Sequence, residues 1–478
     1  MVACVVPICC AAADREPLSI MRVSVCINSI RSMLLTMPPL IRHAYNCFTT
    51  YPATTRRHIA EQYASTRQHN GEIYMSIISN TESESVAQPT LSGLMTLILA
   101  IGAGFSVASI YYVQPILPQI GHDLQLSLDG MGLVPTLTQI GYALGILLLL
   151  PLGDRYDRRK IIAVKSAALT AMLWLCSQVT GPTALWLSSL LLGMAATLAQ
   201  DIVPVAAILA PAGKQGKNVG TVMTDLLIGI LLSRTVSGVV GEYIGWRAMY
   251  QLAALSIAVI GIALWRILPA FAQHSALSYP GLLRSMLQLW RSYPALRRAA
   301  LAQGLLSVGF SAFWSTLAVM LEQHYQLGSA VAGTFGLAGA AGALAAPLSG
   351  SLSDRFGAAK VTQLGAALSA ISFAALFLLP TLPLHGQLAL IALSAVGFDL
   401  GLQSALVSHQ TLVYSLNAQA RGRLNALLFT GVFIGMASGS ALGAKAMSIA
   451  GWPGVTLLAT LASVVCLIVR LRSEKTSA

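Results

Sequence analysis

The chain has 478 residues, of which 55% are hydrophobic and only 10% charged, and its formal net charge is +12. Its mean hydropathy of +0.71 is more apolar than a water-soluble chain of this length can hide in its core, so a soluble class is excluded. The basic balance does not signal a nucleic-acid partner, because the lysines and arginines are sorted by loop rather than gathered on one face.

Residues 1–74 differ from the rest. They hold Cys4, Cys9, Cys10, Cys26 and Cys47, five of the seven cysteines, and no sustained apolar run. Asp14 and Glu16 interrupt the short apolar start, so it does not read as a secretory signal, and no metal-ligand spacing is present. The expectation is a disordered extension translated upstream of a natural start at Met75, where Gly71-Glu72 can encode a purine-rich ribosome-binding site. Residues 75–92 are expected to form a cytoplasmic N-terminus.

From Leu94 onward, apolar runs of roughly 20 residues recur, long enough to cross a hydrocarbon core of about 30 Å. They predict spans near 93–114, 131–151, 161–179, 183–209, 219–241, 246–268, 299–321, 331–349, 361–380, 387–411, 424–444 and 452–470. One set of alternate connections carries Arg155, Arg158, Arg159, Lys160, Lys165, Arg284, Arg355, Lys360, Arg421 and Arg423 among others, whereas the other set has only Arg247 and Lys445. Cationic loops stay in the cytoplasm, which puts both ends of the membrane domain inside. The polar connection 269–298 carries Leu282, Leu283, Met286, Leu289 and Trp290 at helical spacing beside Arg284 and Arg291, predicting an interfacial helix. Residues 471–478 form a cytoplasmic tail.

The halves 93–268 and 299–470 echo each other. Leu152-Gly153-Asp154-Arg155-Tyr156 after the second span returns as Leu352-Ser353-Asp354-Arg355-Phe356 after the eighth. Gly229 precedes Gly245-Trp246 at the spacing by which Gly435 precedes Gly451-Trp452, and Gln200 has a counterpart in Gln403.

Ionisable groups within a span cost about 2.5–3.5 kcal/mol each at the bilayer centre, so those present should face protein or water. Asp201, Asp225, Arg234 and Asp399 stand out. Asp201 and Asp225 are each roughly 12 Å deep at 1.5 Å per residue. As neighbours in one low-dielectric cleft they would let one carboxylate take up and release a proton near neutral pH; alternatively Asp201 pairs with Arg155. Arg234 reads as a fixed cation for an anionic substrate group, or as the structural partner of Asp399. Asp399 and Gln403, four residues apart, face together near the midplane, where transporters built from repeats bind substrate. His409 reads as an interfacial histidine. Gly336, Gly339 and Gly342 match no phosphate loop, and no nucleotide-binding or serine-nucleophile motif occurs, so neither an enzyme nor a cofactor nor a metal is implied.

Over residues 90–470 the chain resembles the major facilitator superfamily, especially bacterial drug/proton antiporter-like and sugar-efflux-like members. The resemblance rests on Gly153-Asp154-Arg155-Tyr156-Asp157-Arg158-Arg159-Lys160, its echo at 350–360, and Tyr111-Tyr112-Val113-Gln114-Pro115 at the end of the first predicted span. It implies an all-α membrane protein of about twelve transmembrane helices in two pseudo-symmetric six-helix bundles. It also implies a cytoplasmic gate at Asp154, Arg155, Arg158, Arg159, Asp354 and Arg355, and a substrate path with Tyr111, Tyr112 and Gln114 in an outer vestibule. Departures are Leu150 and Asp157 where the family has glycines, Ser189 where many antiporters have an arginine, and Ser233-Arg234 in place of Gly-Pro in Gly229–Gly238. Together these readings give a monomeric secondary transporter in the bacterial inner membrane that moves a small solute, with protons as coupling ion and efflux as direction. Substrate candidates are Tyr111, Tyr112, Gln114, Gln200, Arg234, Asp399 and Gln403; proton candidates are Asp201 and Asp225. Uptake or uniport, and a membrane sensor that binds without transporting, are the alternatives.

Overall fold

Proline sets the shape of the first span. Pro115 has no N–H to give the carbonyl of Tyr111, and the helix opens over residues 109–112, so that α1 (Gly93–Ala108) and α2 (Val113–Asp123) meet at 41°. The Tyr111 carbonyl accepts instead from the Gln114 N–H at 3.1 Å, and the next carbonyl, that of Tyr112, accepts from Ser237 Oγ at 2.5 Å. Tyr111, Tyr112 and Gln114 therefore lie at a mid-span break. The sequence had put them towards an outer end, because hydropathy falls at the break and the span had been ended at 114.

The computed structural model describes residues 93–210, 215–271, 278–339, 349, 352–353 and 355–475, all within the unit Pro89–Ala478. The extension 1–74 and the expected start at Met75 lie outside the described residues. Beyond α2 come α3 (Leu128–Leu148), the single turn α4 (Leu152–Arg155), α5 (Arg158–Gln178), α6 (Pro182–Ala196), α7 (Leu198–Leu209), α8 (Gln215–Tyr243) and α9 (Trp246–Ile267). The connecting helix α10 (Tyr279–Ser292) leads to α11 (Pro294–Tyr325), then α12 (Ser329–Thr334), which runs into a 3₁₀ turn at Phe335–Gly339. The chain ends with α13 (Ala358–Ala375), α14 (Leu384–Leu416) and α15 (Arg421–Lys475). Among the described residues all regular structure is helical, and eight helices, or nine with the bent α1–α2 pair, are long and apolar enough to cross a membrane. The run α15 is divided at Gly451, where φ is 61°. The predicted eighth span falls largely on residues 340–348, outside the described residues.

Local signals explain several ends. Ser127 caps α3 by accepting from the Gly130 N–H at 3.2 Å, and Asp157 caps α5 by accepting from the Arg159 N–H at 3.0 Å. The helix expected between the halves is α10: Leu282 and Met286 are buried, Leu283, Leu289 and Trp290 half-buried, and Arg284 and Arg291 exposed. Tyr279 donates to the Leu148 carbonyl at 2.9 Å and Arg423 donates to Ser285 Oγ at 2.8 Å, so α10 is tied to both halves.

Lipid is as apolar as leucine, so these helices hold together by close backbone packing rather than by a hydrophobic drive. A Cβ on Gly141 would lie 1.9 Å from the Leu190 carbonyl oxygen, and one on Gly193 would lie 1.9 Å from that of Thr138, so α3 and α6 touch backbone to backbone. On α15, Gly431, Gly435, Gly439 and Gly443 step by four against Ala300, Gly304, Val308 and Ala312 of α11. The same device recurs in the first half, where Gly229 of α8 meets Gly104 of α1 as Gly435 meets Gly304. Sixteen residues on in each half, Gly245 and Gly451 take positive φ (107° and 61°) and turn the chain into the next helix. The halves form two pseudo-symmetric bundles.

Contacts between the bundles start at the end of the molecule where α2 joins α3. There Lys445 pairs with Asp129 at 3.1 Å, Gln119 donates to Ser329 Oγ at 2.9 Å, and Glu242 accepts from the Ala330 N–H at 2.7 Å. Along α3 they continue through Gly132 against Ala444 to Gln139, which exchanges hydrogen bonds with Ser311 and accepts from Ser440, and to Tyr142, whose ring centroid is 4.2 Å from that of Phe433. Along α8 they run from Glu242 to Arg234, against whose carbonyl Gly333 packs. At the arginine-rich end the side chains of Asp154, Arg158 and Arg159 bond within the first bundle: Arg158 pairs with Asp154 at 3.1 Å, and Arg159 donates to the Trp265 carbonyl at 2.7 Å.

Candidate functional site

Among the described residues, the inter-bundle contacts along α8 lead to a pair of buried opposite charges. Arg234 on α8 is 2% exposed and Asp399 on α14 is 5% exposed. Arg234 Nε donates to Gln114 Oε1 at 2.6 Å, which fixes the guanidinium against the break in the first span. Three rings surround it: its central carbon is 4.3 Å from the ring centroid of Trp314, 4.8 Å from Tyr111 and 5.7 Å from Phe310. Such rings offer their negative faces to the cation and lessen the cost of burying it. Phe310, Trp314 and Phe398 in turn pack edge to face with centroids 6.2–6.4 Å apart.

Arg234 and Asp399 lie within each other's electrostatic reach. Yet no nitrogen–oxygen distance between them falls within 4.0 Å; they are not among the ion pairs of the described residues. Both touch the 3₁₀ turn. A Cβ on Gly336 would lie 2.8 Å from Arg234 Cβ, and one on Gly339 would lie 2.8 Å from Asp399 Oδ2. Both charged side chains therefore occupy space that only glycine leaves. Arg234 Nη2, Gln114 Nε2, Trp314 Nε1 and Asp399 Oδ1 are buried without a hydrogen-bond partner, an arrangement costly enough to call for a functional account. The void lined by Gln114, Pro115, Arg234 and Trp314 measures about 10 Å³, room for a single water. A larger cleft, about 860 Å³, lies elsewhere, between α5 and α9 and lined by Trp174 and Trp265.

The other candidates fall into separate places. Tyr111 and Gln114 join Arg234, while Tyr112 contributes its backbone carbonyl to Ser237. Gln200 donates to the Tyr142 hydroxyl at 3.3 Å, beside the Phe433 contact, and Gln403 is half-buried one turn beyond Asp399. Asp201 pairs with Lys165 at 2.5 Å and not with Arg155, whose guanidinium lies over the Tyr156 ring. Lys165, read from sequence as a loop cation, is 5% exposed within α5, because charge alone had assigned it to the loop that precedes it. The side chain of Asp225, and Asp354, lie outside the described residues. Arg355 lies over the Phe356 ring at 5.3 Å. His409 is fully buried, with Nδ1 donating to Gln303 Oε1 at 2.9 Å. Lys165, Phe310 and Trp314 were missed; Trp314 carried a signal, as an aromatic residue in the middle of a predicted span.

Two glycine-packed helical bundles meeting on a buried charged centre define the class of membrane transport proteins. The chain belongs to the Major Facilitator Superfamily, whose model matches residues 99–416 and 299–478. It is 37% identical over 380 residues to an uncharacterized transporter of Escherichia coli O157:H7, YgaY, covering 79% of this chain and 95% of that one. It is 34% identical over 372 residues to a probable transporter of Streptomyces coelicolor, SCO4007, covering 76% and 83%. Among solved structures, the xylose transporter XylE from E. coli in a partially occluded inward-open conformation aligns with a TM-score of 0.61 at 15% identity, over 79% of this chain and 96% of that one. The likeness to XylE establishes the fold.

Proposed function

We propose that this bacterial multi-pass membrane protein is a secondary transporter that moves a small organic solute by alternating access, exporting it across the inner membrane in exchange for protons. The observation that carries the proposal is the buried, unjoined pair Arg234 and Asp399, one from each bundle and both against the 3₁₀ turn Phe335–Gly339. A site between two bundles becomes reachable from either side as the bundles rock. The sorting of lysines and arginines supports a cytoplasmic arginine-rich end, so the Asp129–Lys445 and Glu242–Ala330 contacts close the outer face in this reading.

Asp399 is the carboxylate best placed to carry the coupling proton, since Asp201 is engaged by Lys165. When Asp399 is neutral, the three rings around Arg234 keep the lone cation tolerable. Proteoliposomes with an internal pH indicator test the reading. A panel of amphipathic amines, sugars, amino acids and organic acids should yield a solute whose addition moves protons, with the response lost in Asp399→Asn. Solute flux that carries no protons would leave uniport; the absence of flux for every compound would leave a sensor.

A further inference from the structure

The central site holds one positive and one negative group, each nine-tenths or more buried and each with an atom that lacks a hydrogen-bond partner: Nη2 of Arg234 and Oδ1 of Asp399. Two further donors, Gln114 Nε2 beside Arg234 and the Trp314 indole Nε1 near Asp399, are also without an acceptor. The site is thus donor-rich at one end and acceptor-bearing at the other. Gly336 and Gly339, which touch the two side chains, are three residues apart on a 3₁₀ turn. That spacing puts them on one face and about 6 Å apart along its axis. The faces of the guanidinium are taken by Trp314 and Tyr111, and Nε by Gln114, which leaves an edge at Nη2 as the approach.

Resting on the transporter reading, we infer that the central site takes a zwitterion of amino-acid size, its carboxylate received by Arg234 Nη2 and Gln114 Nε2 and its ammonium by Asp399 Oδ1. Charge decides the class. A simple anion would bring a second negative group towards Asp399, and a simple cation a second positive group towards Arg234, in a medium where an uncompensated charge is expensive. A zwitterion leaves the site neutral and supplies both missing partners, each through a charge-assisted hydrogen bond. A short link between the two ligand charges matches two protein groups that are near enough to interact and too far apart to touch. The void beside Arg234 measures only about 10 Å³ and Asp399 does not line it, so loading belongs to a more open arrangement of the bundles.

The test compares matched trios on the full chain in nanodiscs, read by tryptophan fluorescence and by thermal shift. L-phenylalanine is set against 3-phenylpropionate and phenethylamine, and L-leucine against 4-methylpentanoate and 3-methylbutylamine. At least one zwitterion should bind about tenfold or more tightly than either of its one-charge analogues, the loss expected for one hydrogen bond to a charged group. Asp399→Asn should erase the preference for phenylalanine over 3-phenylpropionate, and Arg234→Gln its preference over phenethylamine; a purely structural role would not produce these opposite selectivity changes. Equal or tighter binding of an analogue to the unaltered protein overturns the assignment, as does failure of both amino acids to bind. These wild-type comparisons stand even where a variant fails to fold. Flux of a solute from another class would in that event preserve the transporter reading, whereas flux of none would remove both.

Discussion

Two buried pairs of opposite charge have different geometry. Lys165 and Asp201 belong to one bundle, on α5 and α7, and their charges touch at 2.5 Å. Arg234 and Asp399 come from different bundles and remain beyond 4.0 Å, with a glycine-bearing turn beside both. A pair within one rigid unit can close permanently and fasten helices together. A pair split between units that move is kept incomplete, and its incompleteness is what a ligand can exploit. Buried charge by itself does not distinguish these cases; the unit to which each partner belongs does.

The largest expected effect is on transport. Arg234→Gln should reduce solute flux in proteoliposomes to the level of empty vesicles while the protein still elutes as a folded species; retained flux would make the central pair structural. Next, Lys165→Met leaves Asp201 buried without its partner and should cost about 3–5 kcal/mol in unfolding free energy. Adding Asp201→Leu should recover most of it, and a single-variant loss below about 1 kcal/mol would dissolve the contrast between the pairs. Gly336→Ala should cost about 1–3 kcal/mol, because its Cβ meets Arg234 Cβ at 2.8 Å, and should weaken solute binding more than Ala substitution at exposed Gly422. The smallest effect is expected for Asp129→Asn, which removes an exposed link to Lys445 worth up to about 1 kcal/mol, with a smaller loss as salt rises. A salt-independent loss would show that this contact is more than a surface pair.

Much of the architecture was legible. Runs of about 20 apolar residues identify spans because only helices satisfy the backbone in lipid. The paired spacing from Gly229 to Gly245 and from Gly435 to Gly451 anticipated a repeated packing and turn. At the site, Arg234, Asp399, Gln114 and Tyr111 could be singled out because charge within a span is expensive and because Tyr111 and Gln114 lie within a recognisable motif. Their grouping could not. Gln114 was assigned to a vestibule because the break at 109–112 looked like the end of a span, and Lys165 to a loop because hydropathy does not distinguish a cation beside a helix start from one turned inward.

The sequence by itself determined membrane residence, helical class, the two-fold repeat and the expense of placing Arg234 and Asp399 in the membrane, since these follow from local composition and spacing. The tertiary structure decided which charges meet. Asp201 finds Lys165, and Asp399 is held short of Arg234, because partner choice depends on how helices distant in sequence cross, and those crossings are set by where glycines let one backbone approach another.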